Sequence, residues 1–214
     1  MTPASKAEIW AAVHAEHQAL IDDLAVLDVA QWKTSSLCPG WDVHDVLAHL
    51  VDSARTTRWG FLRGMVAARF DFDRANADGI LRARASRPAD TLDAFRAVRR
   101  HTTTPPAALA TRLVEAFVHG EDIRRPLGIA RPYPPGLVAA ALAYQLRTSV
   151  RIGGGRELAH GYHLIATDTA FDHGDGSEVR GPAIALLLAA SGRPVGTGEI
   201  AGPGVLGLLR RHGS

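Results

Sequence analysis

The sequence predicts a mainly α-helical protein in which a four-helix bundle is followed by a smaller C-terminal α/β domain. Three observations favour this fold. Apolar residues recur at helical intervals through the first two thirds of the chain, and proline or glycine marks the connections. Beyond the flexible run 153–155, short strand-like segments surround one apolar helix. We therefore expect a helical bundle over residues 1–152 and an α/β domain over 153–214.

The composition is that of an ordinary globular protein. Apolar residues make up 46% and charged residues 21% of the 214 residues. The net charge is only +2, with acidic residues among the basic ones, so nucleic acid is not an expected partner. No apolar run approaches the ~20 residues needed to cross a bilayer. We expect a cytoplasmic protein, as a monomer or a homodimer.

The first two helices are predicted from periodicity and capping. Apolar positions recur at helical intervals over residues 9–27, which indicates a first amphipathic helix. A Cys-Pro-Gly turn follows, and Asp42 with Asp45 three residues later resembles an acidic capping box. The second helix should therefore run over residues 43–64.

Two further helices are expected after a polar connector over residues 70–88. Asp90 can cap the third helix, which carries Leu92, Phe95 and Val98. Pro106 is suited to an early position of the fourth helix, which ends before Gly128.

The last part of the chain mixes both periodicities. A proline-rich connector at 132–136 precedes a helical segment that includes Leu142 and Leu146. Strands are expected at 162–168, 178–179 and 195–200, with an apolar helix at 182–191.

A metal site is the main chemical prediction. Glu115 and His119 lie four apart on the fourth helix, and project from one face among apolar neighbours. His49 lies in an apolar stretch of the second helix. If these helices face each other, two imidazoles and one carboxylate make a three-ligand site with an open coordination position.

A simpler interpretation is that Glu115 and His119 form an ordinary helical polar pair and that His49 is a core histidine. Cys38, the only cysteine, excludes an internal disulfide and is interpreted as a turn residue. The pairs His14 with His17 and His160 with His163 are interpreted as exposed or cleft-lining histidines, of which His17 could reach the bundle site.

Two segments then resemble one family. Residues 38–50, CPGWDVHDVLAHL, and 115–128, EAFVHGEDIRRPLG, are similar to the mycothiol-dependent maleylpyruvate isomerases, a family of DinB-like metalloenzymes. Residues 162–195 resemble the smaller C-terminal domain of that family. The resemblance implies a DinB-like four-helix bundle.

The resemblance also implies site residues. The metal ligands of the family, usually of zinc, fall on His49, Glu115 and His119. A substrate-binding arginine falls on Arg193. The usual Arg-Asn pair is represented by Arg74 and Asn76, separated by one alanine, and we assign Arg74 to the substrate and Asn76 to the cofactor.

The implied activity uses mycothiol, a small thiol that a divalent metal ion would hold and deprotonate. Addition to an electrophile gives cis/trans isomerisation, or S-conjugation if the thioether persists.

Asp122 either orients an imidazole or is a solvated surface residue. The alternatives are hydrolysis by metal-bound water, for which Glu16 is a conceivable base, and a non-catalytic metal-binding module.

Overall fold

The computed structural model describes residues 4–196 and 198–210 and confirms a mainly α-helical fold with a small sheet. Its α-helices are α1 (Lys6–Leu24), α2 (Val43–Arg55), α3 (Arg58–Ala67), α4 (Phe72–Ala83), α5 (Pro88–Val98), α6 (Thr111–Arg124), α7 (Pro135–Gln145), α8 (Arg156–Ala159), α9 (Ala183–Ala190) and α10 (Val205–Arg210). Short 3-10 helices occupy Gln31–Lys33 and Val150–Ile152. The strands are β1 (Tyr162–Ala166), β2 (Asp172–His173) and β3 (Ser177–Gly181).

The four predicted bundle helices correspond to α1, α2, α5 and α6. Helix α1 packs against α5 and α6, and α2 packs against the same two helices, so the four close into a bundle. Helix α4 lies along α2, outside this ring of contacts. The arrangement places α2 and α6, which carry the predicted metal ligands, next to each other.

Side-chain caps set the start of two bundle helices. The predicted capping box of α2 is confirmed, since the Asp42 carboxylate accepts from the Asp45 amide and Asp45 accepts from the Asp42 amide. Ser5 and Glu8 form a second capping box at α1. These caps satisfy amide groups that would otherwise lack a helical partner.

The prediction of one helix over residues 43–64 was wrong. The chain turns extended at Thr56 and Thr57, and the Thr57 hydroxyl caps a new helix by accepting from the Gly60 amide at 3.1 Å. The polar connector expected after residue 70 contains α4, which is capped by Asp71. Among its residues only Gly79 and Ile80 are buried, so α4 shows little apolar periodicity.

Two other helix starts also differ from the prediction. Helix α5 begins at Pro88 rather than after Asp90, because proline fits the first helical position, where no amide donor is needed. Helix α6 begins at Thr111, and Pro106 belongs to the turn before it.

The C-terminal sheet has the order β2-β1-β3. β1 pairs antiparallel with β2 and parallel with β3, with Leu164 opposite Val179 in the parallel pair. Among the described residues of the predicted strand at 195–200 no strand occurs, and residue 197 lies outside the described residues. The nearby pairing is instead a single bridge between Arg180 and Ala201.

The apolar core continues across the predicted domain boundary. One cluster joins α1, α6 and α7 to the sheet and α9, and a second joins α1, α2 and α5. Helix α7 packs mainly against α9 and α6. The boundary at residue 152 therefore stays a prediction, with α7 in close contact with elements on both sides.

A buried polar network ties α1 and α6 to the C-terminal region. Its centre is Arg124, which is fully buried and binds the carboxylates of Glu16 and Asp23. We call it the Arg124 network, and its members are Glu16, Asp23, Glu121, Arg124, Arg125, Arg131, Tyr133 and Glu199. Ion pairs with aligned hydrogen bonds are the form in which charge is tolerated in a core.

No described helix combines the length and apolar character required to span a membrane.

Candidate metal centre

The three predicted ligands lie near one another between α2 and α6. The Nε2 atom of His49 is 4.0 Å from Oε1 of Glu115, and each side chain is 14% exposed. The ring centroids of His49 and His119 are 4.9 Å apart. Two helices far apart in sequence thus bring two imidazoles and one carboxylate to one side of the bundle interior.

The surroundings hold His49 and Glu115 in place. The indole ring of Trp41 packs against the His49 ring at a centroid distance of 5.4 Å. Arg112, one turn before Glu115, pairs with Oε2 of that carboxylate at 2.8 Å and also donates to the hydroxyl of Ser53. One oxygen of Glu115 is therefore held by Arg112, while the other faces His49.

Asp122 orients His119. The carboxylate Oδ2 is 2.8 Å from Nδ1 of His119, and the Asp122 side chain is fully buried. The sequence interpretation of Asp122 as a solvated surface residue was thus wrong, and the alternative of an imidazole partner is confirmed. In the neutral ring, a proton on Nδ1 leaves Nε2 of His119 with a free lone pair, the usual arrangement for metal-binding histidines.

Cys38 is more than a turn residue, which corrects its interpretation from the sequence. It lies in the expected turn, but its thiol is buried and lies 3.0 Å from Oδ2 of Asp122 and 3.8 Å from Nδ1 of His119. Arg193 reaches the same place and donates to the Cys38 sulfur at 3.2 Å and to both Asp122 oxygens. We call Cys38, His49, Arg112, Glu115, His119, Asp122 and Arg193 the His119 cluster.

A main-chain bond also fixes this turn against α6. The amide of Leu37 donates to the carbonyl of Asp122 at 3.1 Å. In a continuing helix that carbonyl would accept from the amide four residues later, but residue 126 is proline and has no amide hydrogen. The Leu37 amide thus takes the place of the helical donor that Pro126 lacks.

The electrostatic environment differs between the two histidines. Burial, together with the nearby charge of His119, lowers the pKa of His49 to about 3. Burial opposes protonation of His119 as well, but its hydrogen bonds to Asp122 and Cys38 raise its pKa to about 10. Burial would raise the pKa of Glu115, yet the Arg112 charge holds it below the usual value.

The donor set fits a divalent ion such as zinc. Zinc binds imidazole nitrogen and carboxylate oxygen at about 2.0 to 2.2 Å, so one ion can contact both atoms across the 4.0 Å gap between His49 and Glu115. The ligand atoms of His49, Glu115 and His119 are farther apart than those of a closed metal site. Among the described residues, only Cys38, His119 and Asp122 bring three potential ligand atoms within 4.8 Å of one another. Small side-chain movements would be needed to close His49, Glu115 and His119 around an ion.

The tighter set of Cys38, His119 and Asp122 is a hydrogen-bonded group rather than a better metal site. Its contacts of 2.8 and 3.0 Å have hydrogen-bond lengths. The guanidinium of Arg193 already supplies positive charge to both Cys38 and Asp122. A cation at the same place would face that charge, whereas Nε2 of His119 is not used by this group.

The other predicted site residues lie apart from this cluster. Arg74 is exposed near the start of α4, and Asn76 is partly buried in the same helix. Neither side chain makes a hydrogen bond or ion pair with another residue in the described ranges. Their assigned roles stay predictions.

His17, His163 and Glu16 make their hydrogen bonds elsewhere. His17 is buried rather than exposed, packs on Phe95 and lies 3.2 Å from the Arg99 carbonyl. His163 pairs with Asp172 in the sheet. Glu16 faces Arg124 within the Arg124 network. The role of Glu16 as a base for metal-bound water stays a prediction.

The sequence analysis missed Arg112, Trp41 and the role of Cys38. Arg112 had a local signal, since it lies three residues before Glu115 on the same helix. Cys38 and Trp41 had none, because their partners come from other elements. Both also line a surface cavity of about 350 Å³ formed by residues 35–42 and Asp45.

Comparison with known proteins gives a family match for the N-terminal part of the chain. Residues 13–110 match the family model described as mycothiol maleylpyruvate isomerase N-terminal domain. No curated protein matches the sequence.

Two solved structures share the fold over nearly the whole length. One is the crystal structure of the mycothiol-dependent maleylpyruvate isomerase, and the other is a histidine-to-alanine mutant of it. Each is 16% identical, with a TM-score of 0.64, over 95% of this chain and 96% of the other. The family model thus matches less than half of the chain, and the solved structures show a shared fold.

Proposed function

We propose that this protein is a metal-dependent enzyme that activates mycothiol for addition to a small electrophile. The product is a cis/trans isomer, as in a maleylpyruvate-type reaction, or a thioether. The family match and the name of the structural relatives support the choice of thiol and reaction.

One observation carries the proposal. His49 from α2 and Glu115 and His119 from α6 face one another in the bundle interior, and Asp122 occupies Nδ1 of His119. Buried imidazoles and a carboxylate without a full set of partners are costly unless a cation joins them. His49 forms no hydrogen bond with any other described residue, so its nitrogens remain available.

Zinc is the proposed ion, and when bound here it would lower the pKa of a thiol and hold the sulfur at its open coordination position. The protein's own groups prepare for this. Asp122 keeps the Nδ1 proton of His119 in place, so that Nε2 is the free nitrogen. Arg112 holds one oxygen of Glu115, which leaves the other directed at His49.

The proposed reaction balances without any redox partner. The thiol first releases its proton to solvent, and the thiolate sulfur then forms a bond to one carbon of an activated double bond, whose electron pair moves to the conjugated carbonyl as an enolate. Rotation about the new single bond, followed by elimination of the thiolate, restores the double bond in the other geometry. Without elimination, the enolate takes up one proton from solvent, and the product is the thioether.

Arg74 is proposed to bind the substrate carboxylate, and Asn76 the cofactor. The guanidinium of Arg74 is exposed and unpaired within the described structure, so it is free to bind a planar oxyanion through two hydrogen bonds. Both residues lie on α4, which packs along the helix that carries His49.

Metal analysis tests the site. Purified protein should contain about one zinc per chain, and His49→Ala and His119→Ala should each lose it. His163→Ala is a matched control, because His163 also bonds a carboxylate at 2.8 Å but lies in the C-terminal sheet. Equal metal content in all four proteins would contradict the assigned ligands.

Product analysis tests the chemistry. Wild-type protein is incubated with mycothiol and maleylpyruvate, and with other unsaturated keto acids, and the products are followed by mass spectrometry and absorbance. We expect a rearranged acid or a thioether that requires both mycothiol and bound metal. Turnover that persists without mycothiol would overturn the thiol mechanism.

A further inference from the structure

We propose that Arg193 and Cys38 are positioning residues that act on His119 through the carboxylate of Asp122. The inference rests on the proposed function in one respect, namely that His119 binds the metal ion. It assigns Arg193 a role other than direct contact with a substrate anion.

Asp122 receives four polar contacts from three residues. Its Oδ1 accepts from Nε of Arg193 at 2.8 Å. Its Oδ2 lies 2.8 Å from His119 Nδ1, 3.0 Å from Cys38 Sγ and 3.1 Å from Arg193 Nη2. The carboxylate is thus held on both oxygens, and its geometry is set by groups that are distant in the sequence.

Burial explains why these contacts matter. A fully buried carboxylate without partners is costly. The two-point contact with Arg193 fixes both oxygens of Asp122 in place, with Oδ2 next to Nδ1 of His119. An acceptor next to Nδ1 favours a proton on Nδ1, so that the lone pair of the neutral His119 ring lies on Nε2.

The guanidinium of Arg193 is fully engaged in this task. Nε and Nη2 bind Asp122, Nη2 also contacts the Cys38 sulfur, and Nη1 donates to the carbonyl of Ser191 at 3.0 Å. All three nitrogens therefore have protein partners. A substrate carboxylate would have to displace Asp122 or Cys38 to form a two-point contact with this arginine.

This arrangement makes the metal site depend on the C-terminal region. Arg193 follows α9, whereas Asp122 and His119 lie on α6. The orientation of a ligand on one bundle helix is then completed only when the segment after α9 is docked. The Cys38 thiol, in the turn before α2, contacts the same Asp122 carboxylate.

The test compares wild type with Arg193→Gln, Asp122→Asn, the double variant and Cys38→Ala. The first readout is the Nδ1 proton of His119 in metal-free protein, seen by NMR as a downfield, slowly exchanging resonance. The second is zinc affinity, measured by competition with a chelator. We expect Asp122→Asn to weaken zinc binding about 10- to 100-fold, Arg193→Gln about tenfold and Cys38→Ala less than Arg193→Gln.

Arg125→Gln is the matched control. Arg125 also joins α6 to the C-terminal region, through both oxygens of Glu199, but it does not contact His119. It should leave the resonance unchanged and alter zinc affinity less than twofold. A similar loss in Arg125→Gln and Arg193→Gln would mean that general loosening, rather than Asp122, carries the effect.

The double variant decides the route of action. Because Arg193 acts through Asp122, adding Arg193→Gln to Asp122→Asn should weaken zinc binding no further. Fully additive losses, or a normal Nδ1 resonance in Arg193→Gln, would overturn the proposal. If the resonance responds as expected but the wild type binds no zinc, the proposed function fails while this positioning role stands.

Discussion

Helix α6 takes part in two buried polar groups that differ in how completely they are paired. In the Arg124 network, arginine side chains face carboxylates from α1 and the C-terminal region, and Tyr133 links two of its members. In the His119 cluster, one end is bonded through Asp122, while His49 and Glu115 face each other at 4.0 Å without a hydrogen bond. Every arginine of the first group is paired with a carboxylate, although Nη2 of Arg124 has no hydrogen-bond partner among the described residues. The second group leaves donor atoms for a cation.

This difference separates a structural role from a functional one on the same helix. Paired charges hold segments together at some cost in desolvation, and gain little from an added ion. The imidazole of His49 and the Glu115 oxygen that faces it keep that capacity for a ligand. Each prediction below tests whether the two groups are as independent as their contacts indicate.

The largest expected effect is on stability. Arg124→Met removes the fully buried partner of Glu16 and Asp23, which should lower the free energy of unfolding by about 3 to 5 kcal/mol. Urea denaturation measures this, with Arg96→Met, at an exposed pair with Asp93, as the control. Folded Arg124→Met should bind zinc as tightly as wild type, and weaker binding would show that the two groups are coupled.

The Arg124 network should also give stability a pH dependence. Burial raises the pKa of Glu16 from 4.5 to about 7, so the folded protein binds this proton more tightly than the unfolded chain. The contribution of Glu16 to the free energy of unfolding is present below pH 4.5 and is lost as pH rises toward 7, by up to about 3 kcal/mol.

The measurement is the difference between wild type and Glu16→Gln in urea denaturation at pH 5 and pH 8. Subtraction removes the titration of other groups, such as His17, whose burial lowers its pKa. A difference that stays constant with pH would contradict the raised pKa of Glu16.

Metal removal should lower the stability that zinc gives through the His119 cluster. Zinc at about 100 times its dissociation constant should stabilise the wild type by about 2.7 kcal/mol, since it binds the folded state. Thermal denaturation with and without a chelator measures the shift in Tm. His49→Ala should show no such shift, and an unchanged shift in that variant would place the ion elsewhere.

The smallest effect is expected at the edge of the Arg124 network. Arg125 and Glu199 form a partly exposed pair, with side chains 22% and 34% exposed, so their coupling should be about 0.2 to 1 kcal/mol. A double-mutant cycle with Arg125→Gln and Glu199→Gln gives this value. A coupling free energy as large as that of a buried pair would show that the strong pairing of the Arg124 network reaches the protein surface.

The sequence predicted the four bundle helices because their apolar periodicity and caps are local features. The Asp42 and Asp45 box is an example, since both partners lie within one turn. The break at Thr56 and Thr57 was missed because apolar residues continue beyond it, and α4 was missed because it buries only two residues. Helix propensity and tertiary packing decide such cases together.

The candidate site was predictable to a similar extent. The spacing of Glu115, His119 and Asp122 is local to α6, and His49 was singled out by its apolar neighbours and then by the resemblance. The contacts of Cys38 and Arg193 with Asp122 join segments 84 and 71 residues apart, respectively. No periodicity or motif within a helix reports contacts of that kind, so they became visible only in the folded chain.

Pro126 has a consequence that reaches beyond the end of α6. A proline is usually regarded as a helix terminator, but here it also leaves the carbonyl of Asp122 open to Leu37. Pro126→Ala would give that oxygen a second donor, the amide of residue 126, and the Leu37 amide would then share the oxygen with the helix itself. A single imino acid in α6 thus leaves the Leu37 amide as the one donor to this oxygen among the described residues, and this bond anchors the turn that contains Cys38.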